Sequence, residues 1–340
     1  MRSTKLLRCR KGQLNLDVTL TCGQSFRWAK NSKGEWAGVL ANVVWFLKQD
    51  DTGNIQYSFI EPEDEKRNPV QTSDNRKSRK RRLGSSLCMD EDKKEESILK
   101  DYFQLDVDVE KLYQQWASID PVFEKVCKDI PGVRILRQDP LEALIAFICS
   151  SNNNITRITS MVNRLCEKYG KKISQLGSES YFAFPEVERL ARDGVENELR
   201  DAGFGYRAKY IYATATELSS RGPLWLDSLR NAEYSVAHAE LRKLPGVGAK
   251  VADCVCLMAL DKTDVVPVDT HVWQIAVRDY LPHLSKNKTL TDKTYKEVGN
   301  FFREKFGHYA GWAHSVLFAA DLKPTKALTN KCRLAYAMQI

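Results

Sequence analysis

Lys243-Leu-Pro-Gly-Val-Gly-Ala-Lys-Val-Ala-Asp253, followed shortly by Val266-Pro-Val-Asp-Thr-His271, is the stretch on which the reading of this chain turns. Apolar residues at Val236, Leu241 and Leu244 before the turn, and at Val251, Cys254, Val255 and Met258 after it, recur at helical spacing. Pro245 stops the first helix. Gly246 and Gly248 permit positive φ and a close backbone approach. The turn therefore feeds unpaired amide N–H groups into a helix start, a ready seat for a phosphate. Lys250 falls in the first turn of the second helix, where the positive end of the helix dipole disfavours an ammonium, so it is a candidate amine nucleophile. Asp269 begins the next helix, and an N-capping carboxylate is held by the amides it accepts while its other oxygen can face a substrate. Blander readings stand beside these: Lys250 could pair with Asp253 at i, i+3, and Asp269 could be a helix cap and nothing more.

The 340 residues carry a formal charge of +8, with ordinary globular composition and no apolar run long enough to span a membrane. Residues 61–96 hold equal numbers of acidic and basic side chains, so the rest of the chain carries the whole excess. A basic folded body suits a polyanionic partner. The nine cysteines, odd in number and irregularly spaced, imply free thiols in a reducing compartment. No zinc-ligand spacing is present, and neither a metal nor a cofactor is implied.

The expected fold is α+β, an N-terminal antiparallel sheet domain followed by a mostly helical region. Residues 1–12 read as a basic tail. Residues 13–60 read as strands, from the alternation of Leu14, Leu16, Val18 and Leu20 and the runs Val43–Leu47 and Ile55–Ile60, punctuated by Gly23, Gly34 and Gly53. Residues 61–96 are charge-dense and should stay disordered, inside a sheet domain that extends over 13–118. Their run Arg76–Arg82 fits nuclear import, a non-specific DNA contact or a solvated loop. From Ser97 the pattern is helical, with helical domains over 119–323, the helix-hairpin-helix at about 232–260, and a tail over 324–340. Asp139-Pro-Leu-Glu142 reads as a capped start, with Leu141, Leu144, Ile145 and Ile148 on one face. Ile155, Ile158, Val162, Leu165 and Cys166 form the face of the next helix. The polar break Ser150–Asn154 lies between them, with Arg157 just beyond. Helices are also expected over 291–306 and 308–320, where His314 and Phe318 share a face.

The run from Leu244 to Leu260 with Val266–His271 resembles the eukaryotic-type 8-oxoguanine DNA glycosylases, of the helix-hairpin-helix DNA glycosylase superfamily. So do Gly23-Gln-Ser-Phe-Arg-Trp28, Cys149-Ser-Ser-Asn-Asn-Asn-Ile-Thr-Arg157 and Gly203-Phe-Gly-Tyr-Arg-Ala-Lys209. The resemblance extends from about Gln13 to Lys323, except for 61–96. It implies a glycosylase and lyase acting on duplex DNA with an oxidised guanine opposite cytosine, through a Schiff base on Lys250 assisted by Asp269. It assigns the Gly23 carbonyl to the ring N–H that distinguishes 8-oxoguanine from guanine. Cys254 and Phe318 would sandwich the extruded base. Asn152, Arg157 and Arg207 would take the orphaned cytosine, Tyr206 would wedge the stack, and His271, with the Gly246–Gly248 hairpin, would hold phosphates. At the position of His314 the family usually has glutamine, reading the base's Watson–Crick edge; a rigid imidazole offers one donor and one acceptor there, and its charge is open to pH. Relatives resembling endonuclease III build an iron–sulfur cluster on four C-terminal cysteines, whereas only Cys332 lies beyond Cys256 here.

The expected state is a nuclear monomer, with a mitochondrial pool an added possibility. Three rivals stand beside this reading: a non-catalytic helix-hairpin-helix DNA-binding module, a glycosylase for alkylated bases or oxidised pyrimidines, and a weakly active family member altered through His314.

Overall fold

The computed structural model describes residues 2–62, 88–287 and 289–322. Five strands form the first layer: β1 (Lys5–Leu7), β2 (Ala29–Lys30), β3 (Trp36–Leu40), β4 (Val43–Gln49) and β5 (Ile55–Ile60), after a short helix α1 (Leu16–Thr19) within the β1–β2 connection. The sheet is antiparallel in the order β1-β5-β4-β3-β2, a meander of four strands with β1 added beside β5. The basic stretch 1–12 is thus not simply a tail: Lys5 lies opposite Tyr57 and Leu7 opposite Ile55. The expected strand at 14–20 is also corrected. Asn15 accepts from the Val18 amide at 3.3 Å and starts a helical turn, so Leu16 and Leu20 are brought together by helical rather than strand spacing.

β4 is apolar at every position from Val43 to Leu47 because both faces of the sheet are covered. Trp45 and Leu47 pack with Leu99 and Tyr102 of helix α2 (Cys88–Tyr102) and with Phe103 just after it. Val44 and Phe46 pack on the other face with Ile173 and Ala183. Helix α2 corrects the expected disorder of 61–96 in its last nine residues, which are helical; residues 63–87, including Arg76–Arg82, lie outside the described residues, as does the tail beyond Leu322.

The helical body comprises α3 (Val109–Ile119), α4 (Pro121–Cys127), α5 (Pro140–Cys149), α6 (Ile155–Tyr169), α7 (Val187–Leu190), α8 (Val195–Asp201), α9 (Arg207–Arg221), α10 (Trp225–Ser228), α11 (Tyr234–Leu241), α12 (Ala249–Ala259), α13 (Thr270–Asp279), α14 (Asp292–Phe306) and α15 (Ala310–Leu322). It is interrupted by a two-stranded hairpin of β6 (Lys172–Leu176) and β7 (Glu179–Phe182), the second layer over the sheet, in keeping with a mostly helical region, though no strand is singled out there from sequence. Val109, Tyr113 and Trp116 of α3 pack in the helical core, together with Val18, Cys22 and Phe26 from the sheet domain. Buried Arg134 stitches the two parts, donating to the carbonyls of Gln13 at 2.6 Å, Phe103 at 2.7 Å, Val107 at 2.6 Å and Gln104.

Helix α5 runs through the middle of this body. Asp139 caps it, accepting from the Glu142 amide at 2.9 Å, with Pro140 in the first turn. It is buried from Ala143 to Cys149 on every side rather than on one face, because α12 lies along it. Its C-terminus at Ser150 meets the N-terminus of α12, and that junction is where the site forms.

Candidate active site

The hairpin folds as its residues dictate, with two corrections. Gly246 has φ +78°, and a Cβ there would lie 2.6 Å from the Tyr210 ring, so the position needs glycine twice over. Gly248 does not use positive φ. It is extended at φ −85°, and a Cβ would meet nothing within 4 Å. The space over Gly248 is open, and α12 starts there without a side-chain cap, so its first amides face outward as an anion seat. The second correction is Val236, which is 51% exposed; Ala237 and Leu241 bury α11 instead. Thr214 of α9 fixes the turn by donating to the Pro245 carbonyl at 2.8 Å.

Lys250 is half-buried. Its ammonium lies 3.3 Å from Ser150 Oγ and 5.1 Å over the Phe147 ring, both at the end of α5. The alternative pairing with Asp253 does not form. Asp253 is 2% exposed and engaged elsewhere, accepting from Tyr234 Oη at 2.8 Å and from Tyr295 Oη, with His238 Nε2 at 3.5 Å. Cys254, one turn after Lys250, is buried. Burial pushes its thiol up to about 11, while the nearby Lys250 pulls the other way and Asp269 adds to the rise. Cys254 is therefore a neutral thiol within electrostatic reach of both Lys250 and Asp269.

Asp269 caps α13, its Oδ1 accepting from the Val272 amide at 2.9 Å. Its charge also reaches His314. That imidazole is 5% exposed between Phe302 and Phe318, each ring centroid 6.2 Å away, and among the described residues no side chain makes a hydrogen bond to either ring nitrogen. Burial drives its pKa down to about 4; Asp269 and the Gly311 backbone act more weakly the other way. His314 is a neutral ring at physiological pH, so the pH sensitivity considered for it lies well below neutrality.

Phe318 is the hinge of the constellation. His271, in the first turn of α13, meets its edge at 6.0 Å, with Nδ1 4.0 Å from Asp321 Oδ2. Gly23, φ +82°, comes from the sheet domain: a Cβ there would lie 3.2 Å from Ile155 Cδ1 and 4.0 Å from Phe318 Cε1. The loop is held by buried Gln24. Its Nε2 donates to the carbonyls of Arg134 at 2.8 Å and Thr19 at 3.0 Å, its Oε1 accepts from the Leu136 amide at 2.9 Å, and its own carbonyl accepts from Gln138 Nε2 at 2.8 Å.

A second group sits at the α5–α6 junction. Asn152 is exposed at φ +47°, and Arg157 is exposed in the first turn of α6, whose cap is Asn154. Tyr206 is 48% exposed, with its hydroxyl donating to the Ser151 carbonyl at 2.9 Å; it is not the core residue that an aromatic after a glycine turn suggests. Arg207 is no ordinary surface arginine. It is 3% exposed, its Nη2 donates to the carbonyls of Asn152 at 3.0 Å and Ser151, and its guanidinium lies 4.6 Å over the Tyr206 ring. Ser150 and Phe147, which line the lysine, were not singled out from sequence. Nothing local marks a serine at a helix C-terminus as a partner of a lysine one hundred residues on.

Residues 6–144 match the family model of the 8-oxoguanine DNA glycosylase N-terminal domain, and residues 145–301 match that of the HhH-GPD superfamily base excision DNA repair proteins. The N-glycosylase/DNA lyase OGG1 of Arabidopsis thaliana is 38% identical over 93% of this chain and 80% of its own length. The N-glycosylase/DNA lyase of Saccharomyces cerevisiae is 35% identical over 95% of this chain and 88% of its own. Among solved structures, the Clostridium acetobutylicum 8-oxoguanine glycosylase/lyase bound to duplex DNA with cytosine opposite 8-oxoguanine superposes with a TM-score of 0.73. It is 28% identical and covers 94% of this chain and 96% of that one.

Proposed function

The chain belongs to the 8-oxoguanine DNA glycosylase family and is a base-excision-repair N-glycosylase with DNA lyase activity; from that premise we propose that it removes 8-oxoguanine, and ring-opened purines, opposite cytosine in duplex DNA through a Schiff base on Lys250. The observation that carries this reading is the convergence of Lys250 and Asp269 on buried Cys254, with the Gly23 loop against Phe318 on the far side.

A base inside a duplex is out of reach of these groups, so it must leave the stack at a cost of a few kcal/mol. Tyr206, exposed beside the α5–α6 junction, fills the gap. Asn152, Arg157 and Arg207 take the cytosine left behind, arginine donors suiting its acceptor edge. The open amides over Gly246–Gly248, with His271, seat the backbone phosphates. Phe318 and Cys254 sandwich the base, and the Gly23 carbonyl accepts the ring N–H that guanine lacks. His314, neutral, gives the Watson–Crick edge one acceptor and one donor.

Chemistry then follows from two groups. Lys250, as the free amine, attacks the anomeric carbon. The glycosidic bond breaks with its electron pair going to the base, which is protonated as it leaves. Asp269, fixed through Oδ1 by the cap, stabilises the positive charge on the sugar with its other oxygen. The sugar ring opens to an imine on Lys250. That imine acidifies the C2′ proton, and its loss expels the 3′ phosphate, cutting the strand; water then releases the enzyme. The enzyme acts as a monomer in the nucleus, with nuclear residence resting on the sequence run Arg76–Arg82.

The test is borohydride trapping on a duplex with one 8-oxoguanine opposite cytosine, beside an undamaged duplex and a Lys250→Gln variant. A covalent adduct on the lesion duplex only, lost in Lys250→Gln with DNA affinity retained, is expected. An adduct that persists in Lys250→Gln would move the nucleophile to another residue.

A further inference from the structure

Asp253 is a buried carboxylate that the reaction does not use, on the same helix as Lys250 and one residue before Cys254. Such a group is costly unless its oxygens are satisfied. Its partners come from two other helices: Tyr234 and His238 of α11, and Tyr295 of α14. The Tyr295 hydroxyl has a second bond. While donating to Asp253 Oδ2, it accepts from the backbone N–H of Val268 at 3.4 Å, the residue immediately before Asp269. A phenol has one proton to give and lone pairs to receive, so this hydroxyl is used on both sides.

We propose that Tyr295 is a positioning residue of the glycosylase: its hydroxyl ties the lysine helix to the backbone that presents Asp269, fixing the distance between the two catalytic groups. The inference rests on the roles assigned above to Lys250 and Asp269. Besides the connection over 260–268, the two segments share only apolar packing, of Val251 and Val255 with Val266, Val268 and Val272, which does not fix direction as a hydrogen bond does. Misplacement of reacting groups by about 1 Å can cost on the order of a hundredfold in rate. Tyr295 touches neither Lys250 nor Asp269, so its effect falls on the chemical step and not on DNA affinity.

Tyr295→Phe keeps the ring and removes both bonds. Asp253→Asn keeps the shape and lets the amide disturb the acceptor side. Each is compared with the wild type for single-turnover base release at saturating lesion duplex, for affinity toward a duplex with a stable abasic analogue, and for melting temperature. Tyr295→Phe is expected to lose about tenfold or more in single-turnover rate, with borohydride trapping slowed in step and affinity changed less than about twofold; Asp253→Asn shows the same split. Unchanged base release in Tyr295→Phe overturns the inference. So does a parallel fall in rate and affinity, or failure of both variants to fold, since the cluster would then be structural. Absence of trapping in the wild type would refute the assignment of Lys250 itself; normal wild-type trapping with an unaffected Tyr295→Phe refutes only the tie.

Discussion

Replacing His314 with glutamine should flatten the acid limb of the stability profile. The imidazole has a pKa of about 4 in the folded protein against 6.5 for the free group, with burial as the main cause. As the pH falls, the unfolded chain takes up this proton first, so the folded state loses stability from about pH 6.5 downward, and the loss levels off below about pH 4. At about 1.4 kcal/mol per pKa unit, the site removes about 2 kcal/mol by pH 5 and about 3 kcal/mol by pH 4. Glutamine has no proton to take up. Urea unfolding of the wild type and His314→Gln at pH 8, 6.5, 5 and 4 cancels every other titrating group, and the difference between the curves isolates this ring. Curves that stay parallel within about 0.5 kcal/mol over the whole range would show that the ring charges freely in the fold, and would sink the picture of a buried neutral imidazole between Phe302 and Phe318. At pH 7.5, where the ring is neutral either way, His314→Gln should keep or improve base release; complete loss of activity would give the histidine a task of its own.

Gly23→Ala places a Cβ 3.2 Å from Ile155 at a φ of +82°, a strain of about 1–2 kcal/mol. Release of 8-oxoguanine should fall well below that of the wild type, while cleavage of a preformed abasic site, which needs no base recognition, holds close to it; equal losses on both substrates would detach Gly23 from the base. Arg207→Ala should erode the preference for cytosine opposite the lesion and lower the melting temperature by a few degrees, because two backbone carbonyls lose their donor. Opposite-base selectivity that survives the change would reassign the residue to structure alone.

Legibility followed the range of the forces involved. The hairpin was readable because Pro245 and Gly246 act through their own backbone, and Asp139-Pro140 because a cap works within one turn. The Leu14–Leu20 alternation misled, since the same residues at i and i+4 serve a helical turn once Asn15 caps it. Strand β1 was hidden in a basic stretch because three residues are decided by the partner β5, not by their own pattern. The β6–β7 hairpin, with strands of five and four residues, was likewise below the reach of periodicity. For the candidate site, the proposed residues are named one by one from local motifs. Their supports are not: Ser150 meets Lys250, and Tyr295 meets Asp253 and Val268, across separations set only by packing.

If the Gly23 carbonyl reads the base as proposed, Gln24 sets how sharply it can do so. Guanine and 8-oxoguanine would differ there by one hydrogen, guanine presenting a lone pair where the lesion presents a donor. A loop on a soft spring would recoil by a fraction of an ångström and let the wrong base in for a small penalty. Four hydrogen bonds, two donated by Gln24 to Thr19 and Arg134 and two accepted by it from Leu136 and Gln138, make the spring stiff, because recoil must stretch them all. On that reading, selectivity for the damaged base becomes a mechanical property, stored at a buried residue behind the loop.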